Sequence, residues 1–439
     1  MKFNQYFKNF TFSLFVLLST AVFSFAQTQT FPAPRESKLL NGTKLLVWNN
    51  KNTDKVFVKV RIHSGSAFDP LGKEGVMQLL SDILFPLETT KEFFTEDLNG
   101  SFEIITNYDY IQINASGDAD KLLTILETLS PALINPQINK ESTERVRLPL
   151  LAKVQELEKS PSYIADRAVA KRLLGNFPYG RPQFGSSESL AKIDFADLLF
   201  ARERFFTADN ATIAVSGNVN PDFALRAAKR LFGGWLKSDK KVPSTFAQPD
   251  APPAKIQILD STSEKTSEIR FAMRGLARND KDFYAARIFE KVLQDRVRTR
   301  EGRNAFVRFN TNVLPGFIIF GVSEWNVGTV KKVGNQIALP VDITTNTYQN
   351  NFLKEPVKPE EFEKAKNALA EQIKQPETAE YWLDAETYKL VSVKDDWQKY
   401  QSVTQADVQR VLEKFQKESV ASVLVVSSEK QSENNATSN

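Results

Sequence analysis

The sequence predicts an α+β fold in which one unit is used twice. Three observations lead there. A strand, a punctuated turn and a helix follow one another over residues 54–85. The same order returns as a strand over 267–273 and a helix over 282–297. Residues 193–216 can also be laid on 403–426 without a gap, with Ala196/Ala406, Asp197/Asp407, Glu203/Glu413, Phe205/Phe415, Ala211/Ala421 and Val215/Val425 identical. Asp194 and Thr404 both fall at a helix start with Asp three residues on, a shared N-cap signature. On this reading 56–84 lies on 267–294. The halves are 38–232 and 255–428, and the Lys-, Ser-, Gln- and Pro-rich stretch 233–254 is the linker.

The organising stretch is 54–85. Val56, Val58, Val60 and Ile62 alternate with Phe57, Lys59, Arg61 and His63, the period of a strand. Gly65, Pro70, Gly72 and Gly75 mark the turn, and Val76, Leu79, Leu80, Ile83 and Leu84 recur at helical spacing. Before it, 44–48 follows an Asn-Gly turn as a strand. After it, 102–114 alternates as a strand, 121–133 is a helix bent or ended by Pro131, and 142–158 is a helix with Pro149 as a kink or boundary. A helix begins near Asp194, and a strand over 211–216 closes the half at Gly217.

Residues 1–26 have the form of a secretory signal peptide: Lys2 and Lys8, an apolar run over 12–23, then Ser-Phe-Ala before Gln27. Export, with a periplasmic destination, is the expectation, and the run is short for a membrane span. Cleavage would remove Lys2 and Lys8 and lower the formal charge from +4 to +2, too little to argue for nucleic acid. No phosphate loop of the G-x-x-x-x-G-K-[ST] type occurs. The chain has no cysteine and one histidine, His63, so no disulfide, thiol nucleophile or His/Cys zinc site can be assembled within it. A Ser-His-Asp triad would have to use His63, which sits in the strand pattern and carries little weight for that role. The polar tail 429–439 is expected to be disordered.

The order of these elements resembles the pitrilysin/insulinase family of zinc peptidases, over about residues 41–428. In that family the helix after the turn carries H-x-x-E-H, two imidazoles on one face for Zn²⁺ and a Glu to activate water. Here the same positions read Gln78-Leu79-Leu80-Ser81-Asp82, so Gln78, Ser81 and Asp82 replace all three groups. Matching Gln155-Glu156-Leu157-Glu158-Lys159-Ser160-Pro161 to the family places Lys153 at the third ligand; a one-turn slip puts Glu156 or Glu158 there instead. The loop Phe177-Pro178-Tyr179-Gly180-Arg181-Pro182 also matches family wording. In the second half, Arg298 stands where the family has a substrate-holding Arg, and Phe306 near its oxyanion-stabilising Tyr, without the hydroxyl.

The resemblance implies two homologous α/β-roll halves, each an antiparallel sheet with helices packed on it, together forming half of a clamshell like the fold of the mitochondrial processing peptidase. Several members are two-chain assemblies in which only one chain holds zinc. The implied role is a non-catalytic subunit with no cofactor of its own, pairing as a heterodimer with a zinc-bearing homologue and binding extended peptides. The alternative is a stand-alone structural or peptide-binding protein with no peptidase partner. An adjacent gene encoding H-x-x-E-H would favour the first.

Overall fold

The computed structural model describes residues 31–238, 246–260, 267–325, 331–333, 336–338, 352–374 and 376–426. The expected leader (1–26) and tail (429–439) lie outside the described residues, as does part of the linker.

The first half runs β1 (Arg35–Lys38), β2 (Lys44–Asn49), β3 (Lys55–Ile62), α1 (Val76–Asp82), α2 (Leu87–Glu96), β4 (Phe102–Thr106), β5 (Ile111–Asp118) and α3 (Leu122–Ile134). It continues through α4 (Lys140–Leu157), α5 (Pro161–Leu174), α6 (Ser187–Ala191), α7 (Phe195–Phe205), β6 (Ala211–Gly217) and α8 (Pro221–Phe232). The second half begins with β7 (Gln257–Asp260), β8 (Glu268–Arg274), α9 (Phe283–Glu301), β9 (Ala305–Phe309), β10 (Phe317–Val322) and a small hairpin, β11 (Lys331–Val333) with β12 (Gln336–Ala338). It ends with α10 (Pro359–Ile373), α11 (Thr378–Thr387), α12 (Val393–Ser402), α13 (Gln405–Phe415) and β13 (Ala421–Val426).

The two large sheets repeat one topology. Their strand orders are β1-β2-β6-β3-β5-β4 and β7-β13-β8-β10-β9, so β2, β6, β3, β5 and β4 answer to β7, β13, β8, β10 and β9. Each sheet has one parallel pair, in the same place: β2 with β6, and β7 with β13. The strand–turn–helix segments therefore correspond as expected. Asp194 and Thr404 both cap their helices through reciprocal boxes, with Asp197 and Asp407 as the third residues.

Residue by residue the overlay needs correction in the strands. Ala211 and Val215 face the first half's own core, whereas Ala421 and Val425 face the opposite side of the second sheet. A slip of one residue between helix and strand exchanges the faces, so these two identities are not structural equivalents. Several elements also differ from expectation. The stretch 102–114 is a hairpin, β4 and β5, turned at residues 107–110 where the Asn107 side chain accepts the amides of Asp109 and Tyr110. Helices α3 and α4 run through Pro131 and Pro149, so of the two readings left open for each proline the helix end is the one excluded.

Each half lends a helix to the other. The outer face of the second sheet (Ala272, Phe317, Ile319, Val423) is covered by α5, through Ala165, Val169 and Leu173. The outer face of the first sheet (Leu46, Trp48, Ala214) is covered by α11, through Ala379 and Leu383. Under each cover lies a fully buried arginine of a central strand. Arg61 of β3 donates to Asp384 (2.7 Å) and Glu380 of α11 and to Gln112 (2.6 Å), with its guanidinium 4.0 Å from the Tyr110 ring centre. Arg270 of β8 donates to Asp166 of α5 (2.7 Å) and to Glu268 (2.6 Å), and lies 4.7 Å from the Phe306 ring centre.

Candidate functional site

The site is built around α1. Its N-terminus is capped from outside the helix: the Asp69 carboxylate accepts the amides of Gly75 and Met77, both at 2.8 Å. Gly75 has φ of 106°, in the left-handed region, and a Cβ there would sit 2.6 Å from Leu190 Cδ2, so glycine is required. Arg181, from the Phe-Pro-Tyr-Gly-Arg-Pro loop, holds the capping segment by donating to the carbonyls of Asp69 (2.6 Å) and Ala67 (2.7 Å). In the same loop the Tyr179 hydroxyl donates to Asp109 (2.7 Å), and Asp109 accepts from Asn312 and the Val313 amide of the second half. Burial pushes the Asp69 carboxyl up to about 7, against the pull of its two amides and Arg181.

Val76, Met77, Leu79 and Leu80 bury one face of α1, which leaves the motif positions aimed away from that core. There the side chains are turned on one another. Gln78 Nε2 donates to Asp82 Oδ1 at 2.8 Å, and Ser81 Oγ bonds the Gln78 carbonyl and Thr106 Oγ1, both at 2.7 Å. Burial raises the Asp82 carboxyl to about 6, opposed by the Gln78 bond and by the charge of Lys153. Lys153 is exposed on α4, with its ammonium 5.2 Å from the Phe184 ring centre. Glu156 instead pairs with Lys159, and Glu158 accepts the Ser187 amide.

Zinc requires imidazole, thiolate or carboxylate donors converging on one point. An amide, a hydroxyl and one carboxylate already bonded to that amide do not fit it, and an ammonium stands nearby. Among the described residues no three His, Cys, Asp or Glu side chains form a group able to hold a metal.

Beside α1 runs β4, the last strand of its sheet. Backbone bonds at Ser101–Ser116 and Asn107–Tyr110 set the alternation of the ladder, so the backbone groups of Phe102, Ile104 and Thr106 point away from β5. Gln183 Nε2 covers the Thr106 carbonyl at 2.6 Å. Among the described residues, no side chain bonds the outward groups of Phe102 or Ile104.

Arg298 and Phe306 lie elsewhere. Arg298 is exposed at the end of α9, its Nε donating to the Ala305 carbonyl at 3.3 Å. Phe306 is stacked between Arg270 and Arg308. No described contact joins either residue to Gln78, Ser81, Asp82 or Lys153. His63 lies between Thr387 Oγ1 (3.0 Å) and Thr212 Oγ1 (2.9 Å), and burial with nearby Arg61, Lys389 and Lys44 lowers its pKa to about 3. A neutral imidazole held between two threonine hydroxyls has no carboxylate to orient it as a triad base.

A helix in the place of a zinc-binding helix, with its donors replaced and its sheet intact, defines a peptidase frame without the metal chemistry. The chain belongs to the insulinase family of peptidases, family M16: residues 44–187 match the insulinase (peptidase family M16) model and 192–323 the peptidase M16 inactive-domain model. It is an inactive homologue within that family. An uncharacterized zinc protease of Rickettsia felis is 24% identical over 214 residues, 46% of this chain and 51% of that protein. A non-peptidase homolog of Helicobacter pylori, YmxG, is 25% identical over 185 residues, 42% of this chain and 39% of that one. The chain thus spans about half the length of the curated relatives it matches. The crystal structure of a peptidase M16 inactive domain from Pseudomonas fluorescens superposes with a TM-score of 0.75 at 19% identity, covering 91% of this chain and 99% of that one. No helix among the described residues is long and apolar enough to cross a membrane.

Proposed function

We propose that this chain is a non-catalytic M16 subunit that binds extended peptides along β4 and completes the substrate chamber of a zinc-bearing homologue. The observation that carries this reading is the open edge of β4 beside a helix that retains its place and has lost its ligands. An open edge adds a peptide as one more strand through main-chain hydrogen bonds. A frame kept in this form has a use for its edge when a second chain supplies the zinc. Residues 1–26 direct the chain to an exported, periplasmic setting. Its two domains are 38–232 and 255–428, joined by the linker 233–254.

Arg298, exposed and among the described residues bonded through Nε alone, contributes a charge-assisted hydrogen bond to peptide or partner. The test is reconstitution with a zinc-bearing homologue encoded beside this gene. Peptide cleavage is compared for the zinc chain alone, with the wild-type chain and with Arg298→Ala. The mixture should exceed the zinc chain alone, and Arg298→Ala should lose about 1.5–3 kcal/mol of that gain while folding normally. A zinc chain fully active alone, gaining nothing on mixing, would leave a peptide-binding protein without a peptidase partner.

A further inference from the structure

Lys153 is a cation with no ion pair among the described residues, placed where the strand edge ends. Its ammonium lies over the Phe184 ring, which satisfies none of its three N–H donors. The neighbouring residue, Gln183, bonds the Thr106 carbonyl and closes that end of β4. An added peptide therefore pairs with the outward groups of Phe102 and Ile104 and comes to its end, or turns away, beside Lys153. One carboxyl already faces this ammonium: Asp82, which accepts Gln78 through Oδ1 and feels the Lys153 charge, while Glu156 is paired with Lys159 and Glu158 accepts from Ser187.

We propose that the Lys153 ammonium receives a carboxylate of the peptide bound at β4, so that the chain selects extended peptides by a negative charge at the Thr106 end. This rests on the edge-binding reading above. The carboxylate has two sources, a peptide C-terminus or an Asp or Glu side chain, and either makes the same ammonium–carboxylate pair.

The experiment measures binding of a labelled apolar octapeptide to the purified chain by fluorescence anisotropy. The peptide is made as the C-terminal amide, as the free acid, and as the amide with one internal Glu, each with and without N-methylation at alternate amides. The free acid or the Glu peptide should bind roughly tenfold tighter than the neutral amide, and whichever gains identifies the source. Lys153→Gln should remove the difference and Lys153→Glu should reverse it. Lys153 is exposed on α4, so both variants should keep the wild-type circular dichroism. N-methylation should abolish binding in every form. If the three peptides bind equally to wild type and to Lys153→Gln while N-methylation still abolishes binding, the carboxylate assignment is overturned and the edge reading stands. If N-methylation has no effect, or no form binds, the edge reading itself is overturned.

Discussion

The two halves share one strand order and treat its last strand in opposite ways. In the second half α9 is 19 residues long and reaches back over β9. Its Gln294 accepts the Val307 amide at 2.8 Å and donates to the Ala305 carbonyl, which also takes Arg298. In the first half α1 is 7 residues long and stops short. Among the described residues only Thr106, at one end of β4, is covered, and the cover comes from Gln183 outside the helix. Two side chains on a longer helix are enough to seal an edge, and their absence leaves a surface that another chain can extend.

The comparison can be broken first at the arginines beneath the lent helices. Arg61→Met leaves Glu380 and Asp384 of α11 without their buried cation and should destabilise the chain by about 3–5 kcal/mol in urea unfolding. Arg270→Met should cost more, because Glu268, more deeply buried than Glu380 or Asp384, loses its cation, whereas Lys59 stays on Glu380 when Arg61 is removed. Equal losses would mean that the two clasps do not differ as their contacts do.

Next comes His63, which ties β6 to α11. Its folded pKa is about 3, against about 6.5 when unfolded. The unfolded chain therefore binds a proton at this site as pH falls below about 6.5, while the folded chain does not, and stability drops. Asp69 and Asp82, raised to about 7 and about 6, act in the opposite sense over the same range. Measuring wild type against His63→Gln removes their contribution. The difference should move against wild type by up to about 1.4 kcal/mol for each pH unit between about 6.5 and 3. A pH-independent difference would show that the ring protonates in the folded state.

The smallest expected effect sharpens the comparison. Gln294→Ala should reopen β9 at a cost of about 1–2 kcal/mol and raise self-association in sedimentation velocity, since two backbone groups lose a partner. Association unchanged from wild type would mean that Gln294 does not seal the edge.

Much of this was legible in the sequence, and what was not has physical causes. The repeated strand–turn–helix order and the paired caps are local patterns, readable from spacing alone. The register slip was hidden because β6 and β13 are buried on both faces, so alanine and valine suit either side. The β4–β5 hairpin did carry a signal in Asn107 and Asp109, two turn-formers within an otherwise alternating run. Helix α5 announced its start with Pro161 after Ser160. The replaced motif was readable position by position. Arg61 was visible as a lone arginine in a strand, but its acidic partners lie more than 300 positions away and no local pattern links them. The plugging of β9 by Gln294 depends on where a helix passes a strand, which spacing does not encode.

The exchange of helices also sets a timetable. Helix α5 is made before any strand of the sheet it covers, so the second half finds its cover waiting. The first sheet is complete at β6, but α11 comes about 170 residues later, roughly 10–30 s of synthesis. During that interval Leu46, Trp48 and Ala214 and the unpaired Arg61 lie uncovered. Aggregation competes with folding there, and a chain truncated before residue 378 never leaves that state.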